Sequence, residues 1–233
     1  MATYTTEENG IITEWPSVTT ILGILDKPAL IGWGINCALD HIRENRHRME
    51  GHGFETVLDE AKTAHKSTGK EATDIGGLVH DAIESYLKQE AVAFDDWPDE
   101  AYNCFNAFQS WFNDNQVQPI ELEKKVINKE IGYGGRMDFL GMVNGKKTIL
   151  DWKTSKAVYD EYRYQVGAYA LAVSDVERIA VLRLDKYTGE WELKDFTNRI
   201  EQSKKAFKQI TGTFYSLKKR RLKNNPHVKE WWG

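Results

Sequence analysis

Gly134-Gly-Arg-Met-Asp138-Phe-Leu-Gly-Met-Val143-Asn144-Gly145-Lys146-Lys-Thr-Ile-Leu-Asp151-Trp152-Lys153-Thr154-Ser155-Lys156 reads as two strands joined by Asn144-Gly145. Asn-Gly between β-rich runs is a strong hairpin signal, because both central residues of a type I′ turn need positive φ. A two-residue loop sets Val143 against Lys146. Counting outward then sets Asp138 against Asp151 and Arg136 against Lys153. Opposed side chains on neighbouring strands lie about 5 Å apart, so two like charges held there repel. Alternation along a strand also places Lys153 on the same face as Asp151.

Two carboxylates and an amine on one face suit a hard divalent cation, which takes oxygen ligands and keeps several waters. A lysine that orients or deprotonates water completes a set suited to metal-assisted hydrolysis of a phosphodiester. The competing reading is a surface hairpin in which Lys153 and Arg136 merely neutralise two acids. Acid-x-Lys tripeptides are cheap and recur at Glu60-Ala-Lys62, Glu123-Lys-Lys125 and Glu192-Leu-Lys194. Only Asp151-Trp-Lys153 faces a second acid across a turn, and that context singles it out.

The 233 residues, 41% hydrophobic and 28% charged, have an ordinary globular composition. They are expected to form one domain, with residues 1–115 mainly helical and residues 116–233 carrying a catalytic sheet and a C-terminal helix. No apolar run approaches a membrane span and the first residues lack a signal-peptide pattern, so no membrane partner and a cytoplasmic location are expected. Cys37 and Cys104 are isolated within helical patterns, too few for an iron–sulfur cluster, and read as small buried hydrophobes. The net charge of −4 weighs against a protein that coats nucleic acid, but leaves room for a local basic groove. Positive charge clusters at Arg43, Arg46 and Arg48, at Lys124 and Lys125, and in the run Lys218 to Arg221.

Around the hairpin the order of elements is legible. Pro16-Ser17 marks a helix start with Ser17 as N-cap, and Lys27-Pro28 starts another helix whose core face holds Leu30, Ile31, Trp33, Cys37, Leu39 and Ile42. A helix near 54–66 lies between Gly53 and Gly69, read as punctuation. From Ala72 an amphipathic helix places His80 on one face with Gly76 and Glu84. A lone helical histidine is most often structural. The next helix, 99–115, turns Tyr102, Phe105, Phe108, Trp111 and Phe112 inward. A strand over 118–128 carries Glu123 ahead of the hairpin. A helix over 159–174 aligns Gln165 with Tyr169; strands over 178–187 and 191–196 and a long helix containing Phe207 and Phe214 follow, then a tail ending Trp231-Trp232-Gly233. The fold class is α/β, with a central mixed β-sheet flanked by helices.

The succession of a helix with His80, then Glu123, Gly135-x-x-Asp138, Asp151-Trp-Lys153-Thr154 and Gln165-Val-Gly-Ala-Tyr169 resembles the RecB-like branch of the PD-(D/E)XK nuclease superfamily. The likeness runs from about residue 68 to 172, and Pro16-Ser-Val-Thr19 extends it toward the start. It is most similar to the mitochondrial genome maintenance exonuclease and its phage and bacterial relatives, without the four-cysteine iron–sulfur site. The resemblance implies a restriction-endonuclease-like core and Mg²⁺ or Mn²⁺ bound by His80, Asp138, Asp151 and the Trp152 carbonyl. It also implies Lys153 as the residue that positions or activates water, and Glu123 as an acid for a second metal or its water shell. Gln165 and Tyr169 would support Lys153 or contact the DNA backbone. Thr154, Ser155 and Lys156, with Ser17, Thr19, Trp33 and Arg136, would contact DNA, Trp33 having core packing as its competing role; Trp15 would stack on bases.

The implied activity is that of a metal-dependent exonuclease acting on single-stranded DNA ends or flaps in replication, repair or recombination. A double-strand recombination exonuclease, a structure-specific endonuclease and a non-catalytic DNA-binding module are the alternatives. The chain has no Walker-type phosphate loop, so any processive unwinding is expected from a partner; besides DNA, a helicase, a recombinase or a single-strand-binding protein are the candidate partners.

Overall fold

The computed structural model describes residues 2–50, 53–217 and 222–227. The basic run Lys218 to Arg221 and the final Trp231-Trp232-Gly233 lie outside the described residues. The chain divides into two compact units, one made of the residues up to Leu25 and from Val79 on, the other of Asp26–Leu78.

The larger unit opens with a hairpin that the sequence reading passed over. Strands β1 (Thr3–Glu8) and β2 (Ile11–Pro16) pair antiparallel around Asn9-Gly10, with φ of 51° and 74°. The signal is the same Asn-Gly dipeptide that marks the central hairpin, here between Thr- and Ile-rich runs. The N-terminal part thus carries one hairpin besides its helices. Helix α1 (Val18–Leu22) follows, capped as expected: the Ser17 hydroxyl accepts from the Thr20 N–H at 3.0 Å.

Within the smaller unit, α2 (Pro28–Glu44) begins at its proline. No residue of α2 is buried: Leu30, Ile31 and Leu39 are exposed, against the expected core face, while Trp33 is half-buried. Helix α3 spans Gly53–Ala61, and α4 runs unbroken over Ala64–Leu87, well before the expected start at Ala72. Gly69 is thus a helix-interior residue, where an added Cβ would touch the Trp33 ring at 3.4 Å, so a glycine read as punctuation is instead in close packing.

From Val79 on, α4 belongs to the larger unit, followed by α5 (Asp99–Asp114). The sheet order is β3-β4-β5-β6-β7, from β3 (Val117–Asn128), β4 (Tyr133–Val143), β5 (Lys146–Lys153), β6 (Arg178–Leu184) and β7 (Trp191–Asp195). Only β5 and β6 pair parallel, joined through α6 (Asp160–Ala170), as a parallel pair requires a crossover. The result is an α/β protein with a five-stranded mixed sheet flanked by helices. The turn has φ of 50° at Asn144 and 76° at Gly145, and Val143 faces Lys146.

Asp151 and Trp152 are consecutive in β5 and so point to opposite faces. On the Trp152 side, α5 packs Phe108 and Trp111 against the indole at centroid distances of 5.6 and 5.9 Å. Tyr102, expected in that core, is exposed instead. The other core joins Val18 and Ile21 of α1, Val166 and Tyr169 of α6, and Phe207 and Phe214 of α7 (Ile200–Leu217) with Ile149 and Val181 of the sheet. The site acids therefore stand on strands packed on both faces. Among the described residues no helix is long and apolar enough to cross a membrane.

Candidate metal and catalytic centre

The paired ladder between β4 and β5 stops at Phe139↔Leu150. Asp138 and Asp151 stand one step beyond it, where the backbones no longer pair and side chains take over. The Trp152 N–H donates to Asp138 Oδ2 at 2.9 Å, so a carboxylate satisfies a donor that the partner strand would otherwise meet. On the other side of β4, pairing skips from Leu122↔Phe139 to Lys124↔Met137, leaving Glu123 unpaired beside Asp138. Glu123 has φ of 48°, a left-handed conformation that costs a non-glycine residue roughly 1 to 2 kcal/mol. Three neighbouring strands thus bring Glu123, Asp138 and Asp151 into one row.

His80 reaches this row from α4. Its Nε2 lies 3.2 Å from the Trp152 carbonyl, which can only accept, so Nε2 carries the proton. In the neutral ring the Nδ1 lone pair then faces Asp138 Oδ2 at 3.6 Å and Glu123 Oε1 at 3.9 Å. A nitrogen of His80 and one oxygen each of Glu123 and Asp138 lie within 4.8 Å of one another, a group able to hold a metal ion. Burial raises the Asp138 pKa although the His80 and Lys153 charges oppose the shift. The neighbouring cations thus offset the burial of this carboxylate only in part. Two carboxylates and an imidazole offer a divalent cation a mixed oxygen and nitrogen donor set.

This set differs from the expected His80, Asp138, Asp151 and Trp152 carbonyl. Glu123 joins the cluster, and the Trp152 carbonyl fixes the imidazole tautomer, a common outer role around a metal-binding histidine. Asp151 is fully buried and engaged elsewhere: it forms an ion pair with Lys153, and Gln165 Nε2 donates to its Oδ1 at 2.7 Å. Burial, reinforced by Asp138, lifts the Asp151 pKa to about 6, against the pull of Lys153. Burial alone would depress Lys153, but Asp151 and Asp138 outweigh it and its pKa rises. For His80, burial is likewise outweighed by Asp138 and Glu123, and the shift is upward. Gln165 also donates to the Tyr169 hydroxyl at 3.1 Å, so the Gln-x-x-x-Tyr pair steadies Asp151 rather than Lys153.

No protein-family model matches the chain, and no curated protein does either. The geometry of this centre carries the functional reading.

Arg136 does not stand over Lys153. Its Nε pairs with Glu123 Oε2 at 2.7 Å while the side chain stays largely exposed. Ser17 is buried, its hydroxyl spent on the cap and on Thr19 and Thr20, and Thr19 is exposed. Trp15, expected to stack on bases, is buried with its indole N–H on Thr6 Oγ1 at 2.9 Å. Trp33, with Arg43 and Arg48, belongs to the smaller unit, where the two arginines pair with Asp40 and Glu60. Thr154 and Ser155 are half-buried past the end of β5, and Lys156 is exposed. Cys104 is buried, its thiol pushed up to about 12 by desolvation; Cys37 is half-buried.

The sequence reading missed two residues. Tyr4 lies across Gly134, where an added Cβ would come within 2.6 Å of the Tyr4 Cβ, so a glycine there lets the N-terminal hairpin seat against β4. Tyr162 of α6 lies under the Lys153 ammonium, 5.0 Å from ring centroid to Nζ. Its signal was available: Tyr162 falls three residues before Gln165 on the same helix.

Proposed function

We propose that this chain is a Mg²⁺- or Mn²⁺-dependent deoxyribonuclease with a restriction-endonuclease-like core, of the RecB-like PD-(D/E)XK type. The observation that carries the reading is the convergence of His80, Glu123 and Asp138 beside the buried Asp151–Lys153 pair, across three adjacent strands. A structural ion pair needs no second and third acid, and an isolated row of buried acids would be unstable without a cation.

Held by His80, Glu123 and Asp138, a divalent cation would supply Lewis acidity and charge stabilisation at a phosphoryl oxygen. The chain's own groups do the rest. Lys153 presents an ammonium that orients a water or offsets negative charge growing on the phosphate. Asp151 holds that ammonium in place and is itself held by Gln165. Arg136, anchored on Glu123 yet exposed, is the guanidinium placed to meet the next phosphate along the strand. Thr154, Ser155 and Lys156 extend from Lys153 as further backbone contacts. Single-stranded ends or flaps are the proposed substrate, with unwinding supplied by a helicase and delivery by a recombinase or single-strand-binding protein.

The test is a cleavage time course on end-labelled linear and circular single-stranded DNA and on blunt duplex, with Mg²⁺, Mn²⁺ or chelator. Release of short products from linear single strands alone, only with metal, is expected. Cutting of circles would make the enzyme an endonuclease, and digestion of blunt duplex a double-strand exonuclease. Binding without cleavage under every condition would overturn the catalytic reading.

A further inference from the structure

We propose that Tyr162 positions the catalytic ammonium of Lys153, extending the supporting face of α6 by one turn toward its N-terminus. The inference rests on the nuclease reading for its kinetic consequence and on geometry for its substance. Tyr162, Gln165 and Tyr169 are spaced three and four residues apart, so they form one stripe on α6. Each has a task toward the end of β5. The Tyr162 ring lies under Lys153 Nζ at 5.0 Å, Gln165 donates to Asp151 at 2.7 Å, and Tyr169 receives the other Gln165 hydrogen at 3.1 Å.

Lys153 needs such a restraint. Its four-carbon stem carries a point charge with three rotatable donors, and Asp151 alone fixes only one of them. The electron-rich face of a phenol attracts the ammonium without giving it a second anion to bind tightly. The lysine is thereby held in direction yet keeps donors for a water or a phosphate oxygen. A carboxylate at residue 162 would instead compete with the substrate. The ring is itself secured by Tyr159, which meets it edge-on at 5.7 Å. The first turn of α6 thus lies against the lysine.

The ring face and not the hydroxyl performs this role, so Tyr162→Phe and Tyr162→Leu separate it from mere packing. Single-turnover cleavage of an end-labelled single-stranded oligonucleotide with Mn²⁺ is the assay. Tyr162→Leu should lower kcat by about tenfold with KM within a factor of about two, and Tyr162→Phe should recover most of that loss. Equal losses in both variants, a change confined to KM, or full activity in Tyr162→Leu would overturn the proposal. A second measurement does not depend on catalysis. In protein labelled with ¹³C at the lysine ε-carbon, the Lys153 signal, assigned by its absence in Lys153→Arg, should show a ring-current upfield shift in wild type and Tyr162→Phe and lose it in Tyr162→Leu. An inactive wild type would end the nuclease reading while this signal still decides the placement. An unchanged signal in Tyr162→Leu would end the placement itself.

Discussion

Replacing Asp151 by asparagine removes a titrating group that the fold holds at a cost, and the cost depends on pH in a calculable way. Burial first, and then Asp138, lift the Asp151 carboxyl from its ordinary 3.8 to about 6 in the metal-free protein. A carboxyl with a raised folded pKa binds its proton more tightly when folded. Stability from this group is therefore intact below about pH 4 and falls as pH rises to about 6. Two units at about 1.4 kcal/mol each come to about 3 kcal/mol. His80 and Lys153, also shifted upward, act in the same direction: their contributions are present below their unfolded pKa values and fade as pH climbs through the folded ones. With chelator present, Asp151→Asn should gain about 3 kcal/mol on wild type between pH 4 and pH 7. For a chain of this size that is roughly 6 to 12 °C of Tm. Differential scanning calorimetry at unit pH steps measures the gap, and comparing two proteins cancels the ordinary carboxylates they share. Metal should invert the trend in wild type, because its ligands must shed their protons. Mn²⁺ at a hundredfold excess over its Kd adds about 2.7 kcal/mol, and the gain should shrink below pH 6 as protons reclaim His80 and the acids. A gap that stays flat from pH 4 to pH 7 in chelator would refute the argument that Lys153 and Gln165 offset the burial of Asp151 only in part.

Lys153→Ala should lower metal-dependent cleavage by at least about a hundredfold and, by leaving buried Asp151 unpaired, lower Tm at pH 7, whereas Lys153→Met at pH 4 should fold as wild type does. Gel assay and calorimetry on the same preparation would show both; robust activity in the folded variant removes Lys153 from the chemistry. Gly135→Ala places a Cβ 2.8 Å from the Tyr169 ring and 3.1 Å from Val18, so a loss of about 1 to 3 kcal/mol is expected in urea unfolding. Wild-type stability in that variant would mean the Tyr169 ring moves freely aside. Ser17→Ala should cost about 1 kcal/mol through the lost cap and leave the KM for DNA as it was. A raised KM at unchanged stability would assign the buried hydroxyl to substrate after all.

Much of the fold was readable because its signals are short in range. Asn144-Gly145 sets the register of the central hairpin, since only residues tolerant of positive φ make that turn. Ser17 caps a helix because its hydroxyl reaches an N–H three residues on. Alternation put Asp151 and Lys153 on one face, and their ion pair follows from it. The same logic would have found the N-terminal hairpin at Asn9-Gly10. Gly69 and the exposed side of α2 were misread because helical spacing tells which residues share a face, not what, if anything, covers it.

The sequence by itself determined the order of strands and helices after the N-terminal hairpin, the central turn, and the roster of acids, histidine and lysine that a hydrolytic site would use. The tertiary structure decided how that roster is deployed. Glu123 sits with His80 and Asp138, while Asp151 is given over to Lys153 and Gln165. The reason is where the β4–β5 ladder ends: past Phe139↔Leu150 the side chains must satisfy the backbone, and Asp138 turns to the Trp152 N–H. A register counted from a turn can say which residues are opposed. Whether they still pair so far from it depends on what α4 and α6 bring against the strand ends, and those helices meet the sheet only in the folded chain.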